Sequence, residues 1–180
     1  MYNPWRFKTK MENISEKFPD RKVEKLKSLR EWYKDFKKGK KCKYCTENDS
    51  RCLDFHHINP KTKHMSISKM VSLCKSKRLI MKEIKKCDVL CSNCHRKEHY
   101  DENRTRSALQ KWLLNLKRQM KCTLCPENTP CCLDFHHVNP ENKKFAIGDI
   151  IKMKITKQEV MDEMEKCEIM CSNCHRKFHN

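Results

Sequence analysis

The chain has 180 residues, of which 37% are hydrophobic, and a mean hydropathy of −0.94, so any core it buries is small. Forty-one Lys and Arg against 23 Asp and Glu leave a formal charge of +18, which favours a polyanionic partner, nucleic acid first among them. No run approaches the 18 or more apolar residues of a membrane span, and the basic segment Met1 to Lys10 lacks the apolar core of a signal peptide, so a membrane protein and a secreted disulfide scaffold are both set aside.

In chain order, residues 1–21 read as a basic N-terminal arm without sustained period. A helix follows, capped by Asp20 and carrying Val23, Leu26, Leu29, Trp32 and Phe36 at three- and four-residue steps. Two further short helices are expected over Ser66 to Leu73 and Arg78 to Lys86. Tyr100 to Ser107 is polar and charged, and its core 101–107 serves as the linker. Beyond it, Leu109, Trp112, Leu113, Leu116 and Met120 repeat the first helical stripe, with Trp112 80 positions after Trp32. A short helix is expected at Ile147 to Met153, and Thr156-Lys157-Gln158-Glu159 has the form of a capping box that opens another. The apolar stripes of these helices read as core.

The same ligand-bearing paragraph occurs twice, 80 residues apart: Cys42-x-x-Cys45, Asp54-Phe55-His56-His57 and Cys91-Ser92-Asn93-Cys94-His95-Arg96-Lys97-x-His99, then Cys122-x-x-Cys125, Asp134-Phe135-His136-His137 and Cys171-Ser172-Asn173-Cys174-His175-Arg176-Lys177-x-His179. Eight of the nine histidines and eight of the fourteen cysteines lie in it. Two CxxC pairs supply four thiolates, the ligand set of a closed tetrahedral zinc site, so Cys42, Cys45, Cys91 and Cys94 are expected to hold one structural Zn²⁺ and Cys122, Cys125, Cys171 and Cys174 another. Thiolate ligands imply a reducing compartment, cytoplasmic or nuclear in type. Cys52, Cys87, Cys132 and Cys167 lack CxxC partners and read as small buried apolar residues.

Once the sulfurs are assigned, the histidines remain. His95 and His99, four apart on a helix, share a face and can grip one ion, and His56 can complete the set; His136, His175 and His179 repeat it. Three histidines with open positions suit a catalytic ion, although spacing alone fits a second structural zinc equally well. On an extended strand His57 and His137 point away from their neighbours, near the ion but not on it, where a general base belongs. Asp54 and Asp134 lie two positions before the ligand histidine and could orient its ring, and Arg96, Lys97, Arg176 and Lys177 could hold phosphate or form a solvated helix face.

Leu53 to Pro60 with Lys86 to His99, and again Leu133 to Pro140 with Lys166 to His179, resemble HNH endonucleases of the kind that carry a CxxC…CxxC zinc site. The resemblance implies a small zinc-stabilised α+β fold: two tandem ββα-metal modules, each preceded by an amphipathic helix, over 22–100 and 108–180. It also implies hydrolysis of DNA phosphodiester bonds with one divalent cation per module, such as Mg²⁺, Mn²⁺, Ni²⁺ or Zn²⁺. His57 and His137 match the family's general base, and the remaining motif histidines match its metal ligands. The asparagine of the family name has no counterpart where Lys86-Cys87 and Lys166-Cys167 stand; Asn59, Asn93 or a backbone carbonyl are the alternatives for orienting the base. Double-stranded DNA is the expected partner, and a monomer with two fused modules could act as its own dimer. The rivals are a non-catalytic tandem zinc module that docks DNA or RNA, and a zinc-stabilised protein-interaction domain.

Overall fold

The computed structural model describes residues 19–101, 104 and 106–179. The basic arm expected over 1–21 falls almost wholly outside the described residues, as does the Asp20 side chain expected to cap the first helix.

Helix α1 is Pro19–Lys37, and strand β1 is Leu53–His57. After a 3₁₀ turn at Pro60–Thr62 come α2 (Ile67–Ser72), α3 (Lys77–Ile84), β2 (Cys87–Cys91) and α4 (Ser92–Glu98). The second copy follows with α5 (Ala108–Lys117), a 3₁₀ turn at Pro130–Cys132, β3 (Leu133–His137), a 3₁₀ turn at Pro140–Asn142, a 3₁₀ segment at Ile147–Lys152, α6 (Lys157–Met164), β4 (Cys167–Cys171) and α7 (Ser172–His179). The fold is therefore α+β with two two-stranded sheets, β1 with β2 and β3 with β4. In the second sheet the strands run antiparallel, with Leu133 opposite Cys171, His136 opposite Glu168 and His137 opposite Cys167. That register fixes the site: the CxxC end of β4 meets the start of β3, and the histidine pair lies at the other end.

Local sequence explains the boundaries. Ser107 and Gln110 form a reciprocal capping box at the start of α5, and Thr156 and Glu159 do the same for α6. The segment Ile147–Lys152 is 3₁₀ rather than the expected α-helix, whereas its counterpart α2 is α-helical. Gly148 replaces Ser68 of the first copy there, and a mid-helix glycine costs roughly 1 kcal/mol, enough to tip so short a segment.

The chain divides into two compact units that do not follow the repeats: one joins the chain up to Lys40 with Phe55–Val89, the other joins Lys41–Asp54 with Leu90 onward. The first unit has its own core, in which Leu29 of α1, Phe55, Ile67, Met70, Val71, Ile80 and Ile84 are buried and Trp32, Tyr33 and Phe36 pack against them. Val23, counted in the sequence stripe, is exposed, so α1 buries its face only from Leu29 onward. The second unit holds both four-cysteine clusters and two small cores. Ile147, Ile150 and Val160 collect Leu109, Trp112, Leu113 and Phe135, while Cys122, Leu133 and Cys171 collect Met120 and Ile169. Cores of this size usually rely on an added staple, of which a structural metal is one kind.

Candidate metal centres

The first CxxC of each repeat lies in a tight bend closed by a backbone hydrogen bond, Cys42 N–H donating to Glu47 O and Cys122 N–H to Glu127 O, both at 2.8 Å, and the second runs from a strand end into a helix. The bends bring Cys42, Cys45, Cys91 and Cys94 into one cluster and Cys122, Cys125, Cys171 and Cys174 into another. Sγ–Sγ distances are 3.7 Å for Cys45–Cys91 and Cys45–Cys94 and 3.6 Å for Cys125–Cys171. Four sulfurs at about 2.3 Å from one zinc in tetrahedral array would stand about 3.8 Å apart, so the spacing fits zinc and is far too long for a disulfide. All fourteen cysteines are free.

In each cluster one thiolate is supported locally, while burial pushes the Cys45 and Cys125 thiols up to about 11 and those of Cys94 and Cys174 further up. Burial works against ionising Cys122, but N–H groups of Cys171 (3.1 Å) and Leu124 (3.4 Å) point at its sulfur and bring the thiol down to about 7. Cys42 is lowered to about 7 in the same way. Cys91 caps α4, accepting from Cys94 N–H, so its sulfur sits at the positive end of a helix. The remaining paired positions behave as the sequence suggests: Cys52 and Cys132 are fully buried, and Cys87 and Cys167 are half-buried with thiols turned to Glu83 O and Glu163 O.

The histidines form a different kind of centre. In the second copy His136 of β3 meets His175 and His179 of α7; His179 Nε2 lies 3.2 Å from His136 Nδ1 and 3.1 Å from His175 Nε2. Nitrogens at about 2.1 Å from one ion stand about 3.0 Å apart at right angles and about 3.4 Å apart in a tetrahedron, so the three imidazoles converge on one point. Burial, then the neighbouring imidazoles, lowers the pKa of His136, and burial lowers that of His175, which favours the neutral form that binds metal. In the first copy His95 and His99 repeat the arrangement at 3.2 Å, and His56 occupies in β1 the place of His136 in β3.

The candidate bases lie elsewhere. His57 and His137 are buried, and each turns Nε2 to a carboxylate: Glu83 Oε1 at 2.9 Å and Glu163 Oε1 at 2.7 Å. Sequence reasoning missed both glutamates. They lie on the apolar faces of α3 and α6, beside Ile80 and Ile84 in one copy and Val160 in the other, and 26 residues beyond the histidine in each. A charged residue on an apolar stripe, repeated at the same offset, was the available signal. Burial opposes ionising Glu163, yet Lys166 Nζ at 2.7 Å, Lys144 N–H at 2.8 Å and His137 hold it down to about 2, and Glu83 is held at about 2 in the same way by Lys86, His64 N–H and His57. An ionised carboxylate only accepts, so Nε2 of each imidazole is the donor toward its glutamate. Neither asparagine considered for this role fills it: Asn59 caps the 3₁₀ turn, and Asn93 N–H donates to Asn173 Oδ1.

Asp54 and Asp134 also differ from expectation. Each stands near the first histidine of the helix rather than the histidine of its own strand, with Oδ2 3.5 Å from His95 Nδ1 and 3.6 Å from His175 Nδ1. Arg96 and Arg176 pair with the aspartates of the other repeat, and Lys97 and Lys177 with Glu127 and Glu47 of the other repeat at 2.7 Å. Beside the second centre opens a cavity of about 340 Å³ walled by Arg96, Lys117, Asp134, His137, Lys143 and His175. Arg96, Lys117 and Lys143 put three basic groups in its wall against the one carboxylate of Asp134, to which Arg96 is paired.

No protein family profile matches the chain, and neither curated proteins nor solved structures contain a match.

Proposed function

We propose that the chain is a metal-dependent endonuclease of HNH type that hydrolyses DNA phosphodiester bonds, with one active site in each repeat. One observation carries this reading: beside a convergent three-imidazole centre lies a second histidine, His137, paired with an ionised carboxylate and bordering a basic cavity. A purely structural zinc site has no use for that second histidine, whereas hydrolysis needs a base close to the ion but outside its ligands.

The residues divide the work as follows. Nδ1 of His137 takes a proton from water while Glu163 holds Nε2–H and steadies the imidazolium that forms. The oxygen of that water bonds to phosphorus in line, the bond from phosphorus to the 3′ oxygen breaks, and the 3′ oxygen is protonated from solvent. Lys143, on the cavity wall, would offset charge on the phosphoryl oxygens. A divalent cation held by His136, His175 and His179 would polarise the phosphodiester and stabilise the departing oxygen. His57, Glu83, His56, His95 and His99 take the same roles in the first copy by repeat equivalence. The charge of +18 supports DNA as the polyanion.

Metal stoichiometry and plasmid cleavage test it together. The reading expects two zinc ions that resist mild chelation, two exchangeable ions, and loss of supercoiled plasmid on adding Mg²⁺, Mn²⁺ or Ni²⁺. Two zincs, no exchangeable ion and an intact plasmid that is nevertheless bound would leave the non-catalytic DNA-docking module.

A further inference from the structure

The second compact unit contains a reciprocal contact between the repeats. Ser92 and Ser172 face each other with hydroxyl oxygens 2.6 Å apart, both buried. Asn93 N–H donates to Asn173 Oδ1 and Asn173 N–H to Asn93 Oδ1, each at 3.1 Å. The thiols of Cys52 and Cys132 donate to Asn173 O and Asn93 O, both at 3.4 Å. Every contact has a partner at the 80-residue offset, so the starts of α4 and α7 meet about a local two-fold axis.

From that junction each arginine reaches into the opposite copy. Arg96, on the helix that carries the first copy's ligands, places Nη1 2.8 Å from Asp134 Oδ1 and 3.4 Å from Cys131 O. The other oxygen of Asp134 faces His175, a ligand of the second centre, and Arg96 also walls the second copy's cavity. Arg176 pairs likewise with the aspartate of the first copy, though less symmetrically: Nη2 is 2.9 Å from Asp54 Oδ2, the same oxygen that faces His95, and Nη1 is 3.4 Å from Cys52 O.

We infer that Arg96 and Arg176 are positioning residues exchanged between the repeats, each completing the metal centre of the other copy by holding the aspartate that orients its helical histidine. The inference rests on the reading of the histidine centres as metal sites. Its chemistry is that of an outer electrostatic partner: the guanidinium holds the carboxylate in place, and the carboxylate, 3.5 Å from His95 Nδ1 and 3.6 Å from His175 Nδ1, biases the orientation of the ligand imidazole. A single repeat cut free of its neighbour would lose this support.

The test is a crossed metal titration on the zinc-loaded full chain. Replacing His95 and His99 by alanine leaves only the second histidine centre, and Ni²⁺ binding to it is measured by calorimetry with zinc content checked before and after. In that background Arg96→Met is expected to weaken Ni²⁺ by about tenfold or more, the usual cost of losing an outer partner of a metal ligand, while Arg176→Met leaves it within about twofold. In the complementary background, His175 and His179 replaced by alanine, the pattern reverses. Asp134→Asn should reproduce Arg96→Met at the second centre and add little to it in the double variant. Arg96→Lys, which keeps the charge but loses the fork, retains the fold and should fall between wild type and Arg96→Met. Equal weakening of either centre by either arginine, or no weakening by Arg96→Met with both zincs present, overturns the exchange. Absence of Ni²⁺ binding in the parent backgrounds would instead overturn the reading of the histidines as a metal site, and this inference with it.

Discussion

Replacing Glu163 by glutamine tests the ionic pair behind the candidate base with minimal change of shape. Glu163 is 1% exposed and accepts from His137 Nε2 at 2.7 Å, Lys144 N–H at 2.8 Å and Lys166 Nζ at 2.7 Å. A glutamine can keep its oxygen on His137 and Lys144, but its amide NH₂ then faces Lys166 Nζ, donor to donor. Lys166 is 30% exposed and can turn to water, so the loss is that of a charged hydrogen bond, about 2 kcal/mol, rather than that of a stranded buried charge. For a folded chain of this size about 2 kcal/mol lowers Tm by roughly 4–8 °C, which differential scanning calorimetry of the zinc-loaded protein reads directly. The neutral amide also cannot stabilise the imidazolium, so in a His57→Ala background, where only the second site remains, plasmid nicking should slow by about 10²-fold with Ni²⁺ affinity unchanged. Unchanged nicking and unchanged Tm would refute the reasoning, and lost Ni²⁺ binding would show that the carboxylate supports the ligands instead.

Further outcomes follow from the same geometry. Glu83 and Glu163, both held at about 2, contribute stability that is fully present above the unfolded carboxylate range near 4.3 and is lost as pH falls toward about 2; Glu83→Gln with Glu163→Gln should flatten an acid-unfolding curve in that window. Cys171→Ser should release one zinc and, because Ser172 and Asn173 follow it into the inter-repeat contact, should destabilise the first copy as well; unchanged zinc content by mass spectrometry would break the ligand assignment. DNA affinity should fall by roughly 10³-fold between 50 and 200 mM salt if six or more phosphates are contacted, and a flat profile would favour a protein-interaction module.

The two kinds of ligand cluster were legible because metal chemistry constrains spacing: CxxC and the four-residue His95–His99 step survive as patterns in one dimension. The core helices were legible for a similar reason, since Leu29, Trp32 and Phe36, and Leu109, Trp112 and Leu113, keep helical period. Glu83 and Glu163 were not, because beyond the local Lys86 and Lys166 their partners lie far along the chain, His57, His64 and His137 among them. The inter-repeat junction was equally hidden: Ser92 and Asn93 read as ordinary helix-start residues, and only the fold sets them against their own copies at Ser172 and Asn173. Arg96, read as a phosphate-holding or solvated residue of its own helix, belongs by contact to the neighbouring repeat.

The most direct test of the central claim is plasmid cleavage by the zinc-loaded chain carrying His57→Ala together with His137→Ala. Neither histidine is among the clustered ligands, so zinc content, Ni²⁺ uptake and DNA retention should match wild type. Wild type should convert supercoiled plasmid to open-circle and linear forms with Mn²⁺ or Ni²⁺, and the double variant should leave it supercoiled; cleavage at the wild-type rate by the double variant would contradict the assignment of these histidines as the catalytic bases.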